Sequence, residues 1–113
     1  MRIGDLAAAT GASARSLRYY EEQGLLASER SSGGQRHYHE SAVERVTLIQ
    51  SLLAAGLSSS TIHDVLPCIS DRSLRTPWLA ERLRAELHRV EEQLDSLHRT
   101  RSVLADLVEH YHV

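Results

Sequence analysis

The chain has 113 residues, of which 42% are hydrophobic and 25% charged, and its formal net charge is −2. We therefore expect a folded protein with a modest core, and we exclude a disordered chain and a globally basic nucleic-acid binder. A single cysteine, Cys68, excludes an intramolecular disulfide and the multi-cysteine zinc sites. Without a membrane-length apolar run or a signal-peptide pattern near the start, we expect a cytoplasmic protein.

The basic residues are of one kind, since all thirteen are arginine and none is lysine. Codon bias of a GC-rich genome explains such a preference. Arginine is also the better side chain for forked contacts to phosphate and guanine. Because the whole chain is slightly negative, any contact to DNA must be made by a local group of arginines.

The N-terminal region is predicted to form two short helices with a turn between them. Residues 3–9 form an apolar helix, and Gly11 lies in the turn, where glycine can take positive φ. Ser13 fits the N-cap of a second helix over residues 14–23, which Gly24 ends. Two short helices joined by a glycine-containing turn are typical of a helix-turn-helix.

The second helix is predicted to have a polar outward face. With Leu17 set toward the core and about 100° allowed per residue, Tyr20 and Glu21 turn inward within about 60° of it. The residues that turn outward are Arg15, Arg18, Tyr19 and Glu22. A binding surface and an ordinary solvated charged face are both compatible with this pattern.

The segment after the second helix has the composition of a β-hairpin. Residues 31–34, Ser-Ser-Gly-Gly, are turn residues between two short polar runs. The hairpin would carry Arg30, Arg36, His37 and Tyr38. Beside a helix-turn-helix it would form a wing whose arginines reach the DNA backbone, and a plain surface turn is the alternative.

In order and spacing, these residues resemble the MerR-type winged-helix bacterial transcription regulators. The matching residues are Ile3-Gly4-Asp5-Leu6-Ala7, Thr10-Gly11, Arg15, Leu17-Arg18-Tyr19-Tyr20-Glu21, Gly24-Leu25-Leu26, Arg30, Gly34, Arg36, Tyr38 and Ala55-Gly56-Leu57-Ser58. The resemblance implies an all-α fold with a small β-hairpin wing, in which a winged helix-turn-helix DNA-binding domain precedes a long C-terminal dimerisation helix. It also implies sequence-specific binding to double-stranded promoter DNA.

The resemblance assigns DNA contacts to seven residues. It implies that the second helix enters the major groove with Arg15, Arg18 and Tyr19 at bases or phosphates. Tyr20 would touch a phosphate from the helix end, although the rotation leaves it half inward. The contacts implied for the wing are Arg30, Arg36 and Tyr38.

Two further helices are predicted before a linker. The third, over residues 40–55, places Val43, Val46, Ile49 and Leu53 at helical spacing in the core, and Gly56 closes it. Ser58 caps a fourth helix of one or two turns, which Pro67 interrupts because proline lacks an amide donor. We therefore expect a DNA-binding domain over residues 1–66 and a linker over residues 67–76.

A long helix is predicted over residues 77–112, with Thr76 at its N-cap and Pro77 at its first position. Its apolar seam is Leu83, Leu87, Val90, Leu94, Leu97, Leu104, Val108 and Tyr111, in which Arg101 is the misfit. So long a stripe needs a partner, either a second copy of the chain or, alternatively, the chain's own third and fourth helices. The resemblance implies an antiparallel coiled coil in a homodimer, which bends and untwists promoter DNA for RNA polymerase.

No nucleophile–base pairing and no phosphate-binding loop is found in the sequence, so we expect no catalytic residues and no enzyme activity. We also expect no cofactor and no metal site. Cys68 is a candidate redox switch, and a packed, inert cysteine is the alternative. The rival function is a protein-interaction module that has kept the fold but does not bind DNA, which the net negative charge favours.

Overall fold

The computed structural model describes residues 1–112, which fall into two compact units, Met1–Leu74 and the chain from Arg75 onward. The first is mainly helical with a small hairpin, and the second is one long helix with short flanking segments. The elements in chain order are α1 (Ile3–Thr10), α2 (Ala14–Glu22), β1 (Glu29–Arg30), β2 (Arg36–His37), α3 (Ala42–Ala54), α4 (Ser59–Ser70), a 3-10 turn (Arg72–Leu74) and α5 (Pro77–His110). The all-α fold with a small hairpin is therefore confirmed.

Helix ends in the first unit lie where the capping residues predict them. The Ser13 hydroxyl accepts the backbone N–H of Ser16 at 3.0 Å and so begins α2. Ser58 does the same for α4 by accepting the N–H of Thr61 at 3.2 Å. Gly24, which follows the C-cap residue Gln23 of α2, takes a φ of +73°, at which a residue with a Cβ is strained. These local interactions set the length of each helix before any packing is considered.

The core of the first unit combines side chains from all four of its helices. Its fully buried members are Leu6, Leu17, Leu25, Val46, Ile49, Ile62, Val65 and Leu66. The prediction that Leu53 of α3 belongs to this core is wrong, because 36% of that residue is exposed. Leu53 lies in the last turn of α3, whereas the buried residues of this helix, Ala42, Val46 and Ile49, lie earlier.

Replacing Leu17 with alanine should lower the free energy of unfolding by about 2–5 kcal/mol, because the side chain is fully buried and the space it leaves cannot collapse completely. Chemical denaturation followed by circular dichroism would measure the loss. Leu53→Ala is the matched control, and we expect it to cost much less because its side chain is partly in water. Equal denaturation midpoints for the two variants would contradict this assignment of the core.

The prediction that Pro67 interrupts the fourth helix is wrong. α4 runs for 12 residues through Pro67 to Ser70, and the carbonyl of Pro67 accepts the N–H of Asp71 at 3.0 Å. Proline costs the helix one hydrogen bond, but its fixed φ is compatible with helical backbone. Pro67 itself is exposed, whereas Val65 and Leu66 before it are buried and hold this turn of the helix to the core. The predicted linker therefore begins too early, and the first unit extends to Leu74.

The wing is a two-stranded antiparallel hairpin. Glu29 pairs with His37 and Arg30 pairs with Arg36. The turn is closed by the N–H of Gly34, which donates to the carbonyl of Ser31 at 2.9 Å, and Gly34 has a φ of +80°. The hairpin predicted from the Ser-Ser-Gly-Gly sequence is confirmed, although each strand has only two residues.

The second unit consists of α5, a 34-residue helix with Pro77 in its first turn. At 1.5 Å per residue it is roughly 50 Å long. Large apolar side chains are exposed along it and at its C-cap, namely Trp78, Leu83, Leu87, Leu94, Leu97, Val103, Leu104, Leu107, Val108 and the C-cap residue Tyr111. Within residues 1–112, no helix is both long enough and apolar enough to cross a membrane.

Candidate nucleic-acid interface

The polar face of α2 is directed outward, as the helical rotation predicts. Arg15, Arg18 and Tyr19 are exposed, whereas Leu17 and Tyr20 on the other side are buried. Ser13 begins the helix and Leu17 seats it on the core, so the two arginines, three positions apart, lie on the same side. Two guanidinium groups one turn apart suit contacts to base edges and phosphates in a groove.

Tyr19 is held in place rather than free in solvent. Its hydroxyl lies 2.9 Å from the hydroxyl of Ser59 at the start of α4, and its ring meets that of Tyr20 edge-on at 6.4 Å. The residue is nevertheless 44% exposed. It therefore offers a ring and a hydroxyl in a fixed position on the outward face of α2.

Two of the seven expected DNA contacts are corrected by burial. Tyr20 is only 6% exposed and packs inward with Leu17, as its rotation on α2 already indicates. Tyr38 is only 2% exposed, and its hydroxyl donates to the carboxylate of Glu21. Neither ring presents a surface to DNA, so both tyrosines belong to the internal packing of the unit.

The two wing arginines differ in their surroundings. Arg30 is exposed, and its Nη1 donates to the carbonyl of Gly34 across the turn at 3.2 Å. Arg36 is partly covered, with 35% of its side chain exposed, and its Nε lies 3.5 Å from Oε2 of Glu21. The first arginine therefore extends from the hairpin, whereas the second lies against the end of α2.

Glu21 joins the wing to α2, and sequence reasoning did not assign it a role. Its carboxylate accepts hydrogen bonds from the hydroxyls of Tyr38 and Ser28, the latter at 3.1 Å, and it pairs with Arg36. Only 16% of its side chain is exposed. The rotation placed this acidic residue toward the core beside Leu17, and an inward acidic side chain is a sequence signal of a buried polar cluster.

The electrostatics of this cluster keep Tyr38 neutral. Burial, the hydrogen bond to Glu21 and the negative charge of that carboxylate together raise the pKa of the Tyr38 phenol to about 12. Arg36 and Arg18 act the other way. The phenol therefore remains a hydrogen-bond donor to Glu21 throughout the physiological pH range.

Cys68 lies inside α4 with intermediate exposure, rather than in a linker. Within residues 1–112, no group of three or more histidine, cysteine, aspartate or glutamate side chains is arranged to hold a metal ion. The role of Cys68 as a redox switch stays a prediction.

The comparisons with known proteins agree on one family. The family model described as "MerR HTH family regulatory protein" matches residues 1–68. Nodulation protein NolA of Bradyrhizobium elkanii is 39% identical over 107 residues, which are 94% of this chain and 46% of that protein. The chain thus spans less than half the length of this curated relative.

Solved structures show the same fold. The transcription regulator PbrR691 of Ralstonia metallidurans CH34, crystallised with lead(II), superposes with a TM-score of 0.84 at 26% identity, over 96% of this chain and 85% of that one. HiNmlR, a MerR family regulator without a sensor domain that was crystallised on promoter DNA, superposes with a TM-score of 0.62 at 24% identity, over 97% and 88% of the two chains. The helix-turn-helix, the wing and the long α5 agree with this fold, and the family model that matches residues 1–68 shows that the chain belongs to the MerR family of helix-turn-helix regulatory proteins.

Proposed function

We propose that this protein regulates transcription by binding promoter DNA as a homodimer. The observation that carries the proposal is the set of exposed or partly exposed polar side chains on α2 and the neighbouring wing, Arg15, Arg18, Tyr19, Arg30 and Arg36. HiNmlR, which shares this fold, was crystallised on promoter DNA, and this supports the same use of the surface here.

The charge of the first unit favours local recognition over general attraction to DNA. Residues 1–74 contain seven arginines and eight acidic residues, so the unit as a whole does not attract a polyanion. Four of the arginines lie on α2 and the wing. Binding must therefore rely on the fit of these few side chains to a duplex, and it should be more selective than that of a basic protein.

The contacts proposed for α2 and the wing differ in kind. Arg15, Arg18 and Tyr19 project from a helix, the element that fits the major groove, where a guanidinium can bind guanine in a forked geometry. Arg30 and Arg36 project from the hairpin and would hold phosphates beside the groove. α2 would then supply sequence preference, and the wing would supply affinity and orientation.

Replacing Arg18 with alanine should weaken binding to the specific site by about 1–3 kcal/mol while changing binding to random duplex little, because a base contact is lost. Arg36→Ala should instead weaken binding to all sequences and reduce the salt slope by about one unit. Titrations on specific and random duplexes at several salt concentrations would measure both. Equal losses on both duplexes for both variants would contradict this division of roles.

The homodimer is proposed from α5. Its exposed leucines form a seam that pairs most simply with a second copy of itself, and the family resemblance favours an antiparallel coiled coil. Such a dimer carries two copies of α2, which suits a site made of two half-sites. We further propose that the dimer bends and untwists the promoter so that RNA polymerase can use it.

The alternative function is a protein-interaction module that does not bind DNA, which the balance of charge on the first unit favours. A gel-shift assay with the protein's own upstream region separates the two functions. We expect a shifted complex that survives an excess of random duplex. A protein that shifts neither duplex, or both equally, would contradict specific regulation.

A further inference from the structure

The cluster around Glu21 is a partly buried polar group that connects two of the proposed DNA-binding elements of the first unit. Glu21 lies in the last turn of α2, Arg36 lies in β2, and Ser28 and Tyr38 lie immediately before and after the hairpin strands. The carboxylate therefore contacts the wing at both of its ends as well as at one strand. A strand pair of only two residues each has little stability of its own, so its position depends on such contacts.

We propose that Glu21 is a positioning residue that holds the wing, and Arg36 in particular, in the orientation needed for a DNA phosphate. The inference rests on the proposed DNA-binding function. It assigns a favourable role in DNA binding to an acidic side chain beside the DNA surface, where its charge alone would repel the phosphates.

The geometry indicates that Glu21 positions Arg36 and does not compete with a DNA phosphate for its guanidinium group. Glu21 approaches the inner nitrogen, Nε, at 3.5 Å, which leaves the two terminal amino groups of the guanidinium to bind a phosphate. The Arg36 side chain is still 35% exposed. The carboxylate itself is fixed by the hydroxyls of Ser28 and Tyr38, so it acts as a rigid support for the arginine.

Tyr38, the residue after β2, helps Glu21 to hold the wing in position. Its ring is buried, its backbone N–H donates to the carbonyl of Met1 at 2.7 Å, and its hydroxyl donates to Glu21. The residue that follows β2 is thereby held at both its backbone and its side chain. Because the raised pKa of the phenol keeps the hydroxyl protonated, this support does not change with pH near neutrality.

Glu21→Gln tests the proposal because it keeps the shape of the side chain and removes the charge that holds Arg36. We expect the affinity for a specific duplex to fall about tenfold, as for loss of a hydrogen bond to a charged group. We also expect the salt slope to fall by about one unit, as for Arg36→Ala. A purely structural loss lowers the folded fraction without changing the slope. The double variant Glu21→Gln/Arg36→Ala should bind no more weakly than Arg36→Ala alone.

Glu22→Gln is the matched control. Glu22 is the next residue, is exposed and carries the same charge. Its neutralisation should leave the salt slope unchanged and the affinity equal or higher. Should Glu21→Gln fail to fold by circular dichroism, Tyr38→Phe tests the same support, and we expect a smaller loss of affinity with the same reduction of the slope.

The outcomes separate this inference from the proposed function. A wild-type protein that does not bind the specific duplex overturns both. A wild-type protein that binds, with a folded Glu21→Gln variant that binds as tightly or more tightly at an unchanged slope, overturns the positioning role alone. In that case the charge of Glu21 restrains Arg36 rather than supporting it.

Discussion

Replacing Leu94 with glutamate should convert the proposed homodimer to monomers and remove specific DNA binding. Leu94 lies at the middle of α5, is 49% exposed and belongs to the apolar seam. In an antiparallel pair the middle of each helix meets the middle of the other. The substitution would therefore place two carboxylates close together in a seam without water or a partner charge.

The expected size of this effect is large. An uncompensated charge at a buried position costs about 3–5 kcal/mol, which is a factor of more than a hundred in the dissociation constant. Sedimentation velocity at micromolar concentration would show the wild type as a dimer and Leu94→Glu as a monomer. The monomer has one α2 instead of two, so a gel shift should also show much weaker binding to the full site.

Ala85→Glu is the control for this experiment. Ala85 is exposed and precedes Leu94 by nine residues, which at about 100° per residue places it on the opposite face of α5. The same added charge there should leave the dimer intact. A wild-type protein that sediments as a monomer, or a Leu94→Glu variant that still dimerises, would contradict a dimer formed through this seam.

The sequence predicted best what depends on neighbouring residues. Ser13, Ser58 and Gly24 act on backbone groups within a few positions of themselves, and they lie where they were expected. The outward face of α2 was predicted for the same reason, because the rotation of a helix follows from its own residues. The hairpin turn is likewise a property of consecutive residues.

The incorrect predictions depend on contacts between distant parts of the chain. A proline such as Pro67 destabilises an isolated helix. In this fold α4 continues through Pro67, and the preceding residues Val65 and Leu66 are buried in the core. Tyr38 was expected to be a wing contact, but it is buried and its hydroxyl donates to Glu21, which lies 17 residues earlier. Hydrophobic periodicity and helix-capping residues do not indicate which distant residues will contact each other.

Glu21 shows which features of the candidate site can be predicted from the sequence and which cannot. Its inward rotation beside Leu17 could be calculated from the sequence, but its three partners could not, because they come together only when the wing folds against α2. The list of arginines was therefore predictable, whereas the residue that orients one of them was not. In a unit whose arginines do not outnumber its acidic residues, the orientation of a single arginine such as Arg36 should affect the affinity for DNA.

Promoter geometry is expected to control the activity of the protein. If the proposed homodimer is rigid, its two DNA-binding units would both dock only on DNA that presents its half-sites at the spacing of the dimer. Bending a DNA site of about 20–30 base pairs costs on the order of 1–6 kcal/mol, and the cost depends on the flexibility of the central base pairs. Part of the specificity should therefore lie at base pairs that no side chain touches.

We accordingly expect the protein to activate a promoter whose spacer between the polymerase-binding elements is unusually long. Shortening that spacer by one or two base pairs should raise transcription without the protein and abolish its activating effect, because the elements are then already in register. In vitro transcription on templates of different spacer length would measure this, and footprinting should show hypersensitive cleavage at the centre of the site. Repression on every template, with no distortion at the centre, would instead identify a regulator that acts by blocking its operator.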